Sequence, residues 1–180
     1  MSVSVEGDRM KDVKEFVEKV LDLAAEDMAD GSDYWPHAYF LMPDESVDIF
    51  VIDPNFMATA RSKDGFRAIM LKHLRDRGGV YAVLVSDAWG AVAEMPKGIS
   101  PEQARDSLPD DLSTFAGRTE LLLASVFGEG MEPILAQWPY SRTDGKPNFH
   151  RERLRYESAA SGTKVSGRFA PDLSGGKKSA

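Results

Sequence analysis

The sequence predicts an α+β fold in which two main helices accompany a single, mostly antiparallel sheet of five or six strands. In two segments, apolar residues recur at intervals of three and four, which is the period of an amphipathic helix. Short runs rich in β-branched residues, bounded by glycine, proline or acidic residues, are typical of strands. The chain has 180 residues, of which 42% are hydrophobic, enough for one core without covalent reinforcement. It contains no Cys, which excludes disulfides, zinc–thiolate sites and a cysteine nucleophile.

The first helix is expected from Met10 to Ala29, because six of its apolar residues share one stripe. These residues are Val13, Phe16, Val17, Val20, Ala24 and Met28. Gly31 is a typical stop signal after it. Two strands, His37 to Met42 and Val47 to Ile52, then flank a turn that contains Asp44-Glu45, so the segment predicts a β-hairpin.

The second helix is expected from Asp64 to Arg77, with Asp64 as its N-cap and Gly78-Gly79 as its stop. A strand follows from Val80 to Asp87, and Gly90 is expected to bend or bulge its continuation. Further along, the segment that begins at Ser100 has a capping-box pattern, which predicts a short helix through Ser107.

Two more strands are expected at Glu120 to Phe127 and Glu132 to Tyr140. The segment from Asn148 to Tyr156 is interpreted as a sixth strand, although its charges also suit a solvated helix. Residues 1–156 are therefore predicted to form one α+β domain. Residues 157–180, rich in Ser, Gly and Lys, are predicted to be a disordered basic tail.

The resulting element order, α-β-β-α-β-β-β, resembles that of profilin-like and roadblock-like α+β sheets. The resemblance rests on element order and on no motif, and it implies a dimeric interaction module. Because a helix connects the second and third strands, these two strands are candidates for a parallel, right-handed crossover. The last three strands are expected to form a meander.

The strands that begin at Val80 and Glu120 carry apolar residues on both faces, whereas a one-sided sheet alternates apolar and polar residues. Two arrangements explain this. The two helices lie on opposite faces, or both lie on one face and a second copy of the protein covers the other. The second arrangement favours a homodimer, which we take as the prediction.

The charge of the chain is unevenly distributed. From Arg142 to Ala180 there are nine Lys and Arg against four Asp and Glu, a net charge of +5, while the remainder carries −12 of the total of −7. An acidic body repels phosphate backbones, so nucleic-acid binding is disfavoured. No apolar run approaches the roughly 20 residues of a membrane span, and the first residues lack a secretory signal. We therefore expect a cytoplasmic protein with no membrane partner.

Three arginines near the end of the chain are candidate binding residues. Arg151, Arg153 and Arg155 would share one face of a strand, and guanidinium groups suit phosphate or carboxylate recognition in an acidic partner. Two other interpretations are a cationic edge strand that prevents edge pairing and neutralisation of the acidic body. Trp89 and Trp138 are the aromatic candidates for anchoring a protein partner.

The sequence contains no recognisable catalytic, nucleotide-binding or metal-binding motif. With Asp44-Glu45 as a two-residue loop, His37 would face Ile52 and Asp48 would face Leu41, so no His–Asp dyad would span the hairpin. The candidates for a catalytic site assembled from distant positions are His37, Asp48 and Asp87. No cofactor and no metal are expected.

The leading hypothesis is a non-enzymatic protein-interaction or regulatory module that forms homodimers. One alternative is a small hydrolase-type enzyme that uses the separated Asp and His residues. Another is a nucleic-acid-binding accessory protein that acts through its basic C-terminal segment, for which binding should weaken with salt and on replacement of the three arginines.

Overall fold

The computed structural model of the chain describes residues 5–57, 59–91 and 118–158. They form two helices, α1 (Val5–Asp27) and α2 (Ala60–Arg77), and seven strands. The strands are β1 (His37–Leu41), β2 (Val47–Val51), β3 (Tyr81–Ala91), β4 (Arg118–Phe127), β5 (Ile134–Thr143), β6 (Lys146–Phe149) and β7 (Arg155–Ser158). The helix expected after Ser100 and the tail from residue 159 onward lie outside the described residues. Neither α1 nor α2 is long and apolar enough to cross a membrane.

The strands form one strongly curled antiparallel sheet in the order β2-β1-β3-β4-β5-β6, which confirms the α+β class. The strands β3, β4 and β5 form the expected meander, and β6 continues it. The outer side of β5 is divided between two short strands, because β7 pairs along Ile134–Gln137 and β6 pairs along Tyr140–Thr143. The crossover prediction was wrong in one respect: β2 and β3 run in the same direction, but β1 lies between them.

The β1–β2 hairpin forms where the sequence predicts it, but its register differs by one residue. His37 faces Val51, and Phe40 faces Asp48. The reason is a three-residue loop, in which Glu45 adopts a left-handed φ of 66° and its N–H donates to the Met42 carbonyl. A type I turn followed by a left-handed residue adds one residue to the two-residue loop that the sequence analysis assumed.

The two helices lie on opposite faces of the sheet. On one face, α1 buries apolar residues against β3, β4 and β5. On the other face, Met70 and Leu74 of α2 pack against Phe40 and Ala82. This is the first of the two arrangements that two-sided strands allowed. Since α1 and α2 explain the apolar residues on both faces of β3 and β4, these residues no longer favour a homodimer.

The ends of α2 are fixed by local chemistry. Its N-cap is Thr59 rather than Asp64, because Thr59 and Ser62 form a reciprocal capping box. Its C-cap is Gly78, as predicted, and the φ of 68° at this position is one that glycine adopts without strain.

The segment interpreted as a sixth strand is broken into β6, a 3₁₀ turn at Arg151–Arg153, and β7. The prediction that Arg151, Arg153 and Arg155 share one strand face was therefore wrong, since two of them lie in the turn. The predicted domain boundary at residue 156 falls inside β7, which runs on to Ser158.

Candidate interaction surface at the sheet edge

The strand β2 forms one edge of the sheet, and four of its five side chains are apolar and exposed, on both faces of the sheet. Val47, Ile49 and Val51 lie on the face that bears α1, where Ile49 is 56% and Val51 is 62% exposed. Phe50 lies on the face that bears α2 and is 44% exposed. Because α1 packs over β3 and β4, it leaves β2 uncovered. We call these four residues the β2 edge surface.

The backbone of β2 is unpaired on its outer side within the described part of the chain. At one end of the hairpin, the N–H of Ile52 donates to the Pro36 carbonyl at 2.8 Å. At the other end, the N–H of Met42 donates to the Ser46 carbonyl at 2.9 Å. Backbone groups alternate sides along an antiparallel strand, so the even-numbered residues of β2 bond to β1 and the odd-numbered residues face outward. The outward-facing residues are Val47, Ile49 and Val51.

The opposite edge of the sheet is built differently. There, β6 and β7 have four residues each. Pro147 lies in β6, and the exposed Arg155 lies in β7. Short strands, prolines and charges are the usual protections against edge-to-edge pairing. Arg155 therefore fits the interpretation of a cationic, protected edge, whereas Asp48 is the single charged residue of β2.

An apolar groove of about 270 Å³ lies beside β2, between the hairpin and α2. Its floor contains the buried side chains of Ile52 and Met70, and its exposed rim contains Phe56 and Ile69. Ile69 is 61% exposed although it lies on a helix that covers the sheet. Large exposed apolar side chains that adjoin a groove mark binding surfaces more often than isolated ones do. The groove extends the β2 edge surface onto α2.

His73, which lines the groove, forms a pair with Asp48 of β2. The ring of His73 contacts Phe40 and Phe50, with centroid distances of 4.7 and 4.9 Å. Its Nε2 lies 3.3 Å from Oδ2 of Asp48, and Nη2 of Arg77 lies 3.7 Å from the same oxygen. These contacts connect the hairpin to α2 and give Asp48 polar partners within an otherwise apolar strand.

The three catalytic candidates do not form one site. Asp48 lies on the face that bears α2, whereas His37 and Asp87 lie on the opposite face. Nδ1 of His37 lies 2.7 Å from the Trp35 carbonyl oxygen. The His–Asp pair that does form uses His73, which the sequence analysis did not select.

Asp87 belongs to a separate polar cluster within β3, which continues four residues further to Ala91. The Tyr140 hydroxyl donates to Oδ1 of Asp87 at 2.7 Å, and Nε of Arg142 donates to Glu120 at 2.9 Å. Burial raises the pKa of Asp87, while the hydrogen bond from Tyr140 and the charge of Arg142 act in the opposite direction. Burial and the hydrogen bond to Asp87 also raise the pKa of Tyr140. The cluster connects side chains of three neighbouring strands, β3, β4 and β5.

Arg151 is engaged within the fold. Its Nη1 donates to Asp22 at 2.6 Å and its Nη2 donates to Glu18 at 2.8 Å. Its guanidinium also lies over the Trp138 ring, 5.0 Å from the centroid. These contacts fit the interpretation that basic residues neutralise the acidic body. Arg153 and Arg155 remain exposed.

The two tryptophan candidates have different surroundings. Trp138 is 5% exposed and packs in the core cluster beneath α1, so its ring offers no surface to a partner. Trp89 is 39% exposed, with the guanidinium of Arg118 4.5 Å from its ring centroid. Trp89 therefore stays a candidate anchor.

The comparisons add no relative from which a function could be inferred. No protein-family model matches the sequence, and neither the curated proteins nor the solved structures give a match. The likeness to profilin-like and roadblock-like sheets therefore remains one of element order. Within the described ranges, no group of three or more His, Asp and Glu side chains could hold a metal ion.

Proposed function

We propose that this protein is a protein-interaction module that binds an extended strand along the outer edge of β2. The proposal rests on one observation: β2 combines outward-facing backbone groups with apolar side chains exposed on both faces. Strand addition uses these two features together, since the backbone supplies the hydrogen bonds and the side chains supply the buried area. The proposed setting is cytoplasmic.

The groove supports the same function. An incoming strand would lie beside Phe50, within reach of the rim formed by Phe56 and Ile69. A side chain of that strand could enter the groove, which would bury apolar area on the side chain and on the groove. Aromatic pockets next to a free strand edge give strand addition its side-chain selectivity.

The hydrolase and nucleic-acid hypotheses gain no support from the site. The candidates His37, Asp48 and Asp87 are divided between two faces of the sheet. Arg151 is paired with Glu18 and Asp22. The binding hypothesis is therefore the one that the geometry favours.

Ile49→Pro tests strand addition, because the N–H of Ile49 faces outward and takes no part in the bonds to β1. Proline at such a position leaves the β1–β2 ladder intact but removes a donor from the free edge. The probe is a lysine-flanked peptide of alternating threonine and valine, titrated while the amide NMR signals of β2 are followed. At protein concentrations where the chain is monomeric, we expect saturable shifts in the parent protein and at least tenfold weaker binding in Ile49→Pro, roughly 1.4 kcal/mol.

The control for peptide binding needs a substitution outside β2 that keeps the fold. A proline at Leu23 is unsuitable, because it would break α1. Leu23→Lys is suitable, because Leu23 is an exposed apolar residue on α1, the helix that packs on β3 and β4. It should bind the peptide as the parent does. Equal peptide binding by the parent and Ile49→Pro, with both folded by circular dichroism, would refute strand addition at this edge.

A further inference from the structure

We infer that the strand recruited by β2 is β2 of a second copy, paired antiparallel about a twofold axis at Ile49. This inference rests on the proposed function and specifies its partner. An interface around a twofold axis uses the same patch on both copies, so the patch must be complementary to itself. The β2 sequence Val-Asp-Ile-Phe-Val meets this condition.

In this register the three outward-facing residues of each strand all find partners. Ile49 lies opposite Ile49 of the second copy, and Val47 lies opposite Val51. The outward N–H and C=O groups of each pair can then exchange hydrogen bonds across the axis. On the face that bears α1, six β-branched side chains that are exposed in the single chain would contact one another.

The side chains on the face that bears α2 distinguish the possible registers. With the axis at Ile49, Asp48 lies opposite Phe50 of the second copy, so no two like charges face each other. An axis at Asp48 would place two carboxylates directly opposite, which is destabilising. An axis at Phe50 would leave Val47 outside the ladder that β2 forms. The Ile49 register alone pairs all outward residues without a charge conflict.

The first test is the oligomeric state of the full chain by light scattering across a range of concentrations. We expect dimers for the parent and at least about a 100-fold weaker dimer for Ile49→Lys, because two ammonium groups would meet at the axis. The control Leu23→Lys introduces the same charge on α1 and should dimerise like the parent.

The second test measures the register by disulfide formation. The chain has no Cys, so an introduced thiol can link only to its counterpart. In the proposed register Ile49 forms a hydrogen-bonded pair with its counterpart, and the Cα atoms of such a pair lie about 5.5 Å apart, within disulfide range. Ile49→Cys should therefore form a linked dimer on mild oxidation. Val51→Cys should not, because its counterpart lies about four residues, or roughly 13 Å, along the strand.

The outcomes separate this inference from the proposed function. A monomeric parent that still binds the threonine–valine peptide would overturn the second-copy inference and leave strand addition supported. A dimer that survives Ile49→Lys unchanged would also overturn it. Efficient linking of Phe50→Cys or Val51→Cys, with none at Ile49→Cys, would overturn the register. Failure of both dimerisation and peptide binding would refute the two proposals together.

Discussion

Asp87 shows how a single polar side chain is accommodated within a buried sheet. It lies opposite Leu122 on the face that α1 covers, at a position between Val85 and Trp89. The Tyr140 hydroxyl satisfies one of its oxygens, and Glu120 and Arg142 complete the cluster. Burial nevertheless disfavours the charged carboxylate, which is why the pKa of Asp87 is raised.

We predict that Asp87→Asn becomes progressively more stable than the parent as the pH rises from about 4 towards neutrality. A raised pKa in the folded chain means that protonated Asp87 favours folding. This stabilisation is complete below the ordinary Asp pKa of about 4 and is lost as the pH rises through the folded value. Asparagine carries no charge, and its Oδ1 can still accept from Tyr140. Urea unfolding at several pH values measures the difference.

Asp44→Asn is the matched control, for which the stability difference from the parent should change with pH in the opposite direction. Hydrogen bonds from Ser46 hold the pKa of Asp44 below its usual value. Asp44 therefore stabilises the fold above the ordinary Asp pKa, and that contribution is lost as the pH falls through the lowered folded value. A stability difference for Asp87→Asn that does not change with pH would mean that the carboxyl is not penalised by burial.

At the level of elements, a glycine with positive φ follows each of the two helices, and the two glycines have different surroundings. Gly31 follows α1 with φ of 90°, and a Cβ there would lie 2.9 Å from the Gly145 carbonyl oxygen. Gly78 follows α2 with φ of 68°, and nothing lies within 4 Å of the position of its Cβ. Alanine would be strained by the positive φ at both positions, but of the two only Gly31 would also bring its Cβ into a steric conflict.

We predict that Gly78→Ala lowers the free energy of unfolding by about 1 kcal/mol, from backbone strain alone. Gly31→Ala should lower it by at least about 1 kcal/mol more, because the β5–β6 turn must move. Chemical denaturation of both variants gives the comparison. Equal losses would show that the close approach between Gly31 and Gly145 does not constrain the fold.

The sequence predicted those elements whose apolar period is long and whose ends carry breaker residues. Both main helices, the hairpin and the strands β3, β4 and β5 were predicted near their observed bounds. The errors occurred where one residue changes the geometry. Glu45 in a left-handed conformation shifted the hairpin register, and the 3₁₀ turn at Arg151–Arg153 interrupted a strand that alternating charges had suggested. Such turns depend on tertiary contacts, here those between Arg151 and α1.

The candidate surface was harder to predict than the fold. The β-branched composition of β2 indicated a strand, but exposure depends on which strand forms the edge, and strand order is a property of the whole sheet. A usable signal was present in β2, because apolar residues occur on both of its faces. The exposure of Ile69 had no such signal, since its neighbours in the sequence are Ala68 and Met70. The His73–Asp48 contact joins positions 25 residues apart, and no local spacing reveals it.

At the scale of the whole molecule, the two edges of the sheet have opposite characters. The edge formed by β6 and β7 is short, interrupted and partly charged, whereas β2 is apolar and unpaired among the described strands. Since α1 and α2 each cover one face, β2 is the apolar edge, among the described strands, at which another strand can extend the sheet. Association through β2 would then make the sheet continuous across two copies.

Residue-resolved amide hydrogen exchange along β2, at low and high protein concentration, tests this account most directly. The N–H groups of Asp48 and Phe50 face β1 and should be protected at every concentration. Those of Val47, Ile49 and Val51 should exchange quickly in dilute solution and become protected as the concentration rises. Fast exchange at these three residues under all conditions, in a chain that nevertheless dimerises, would contradict the β2 interface.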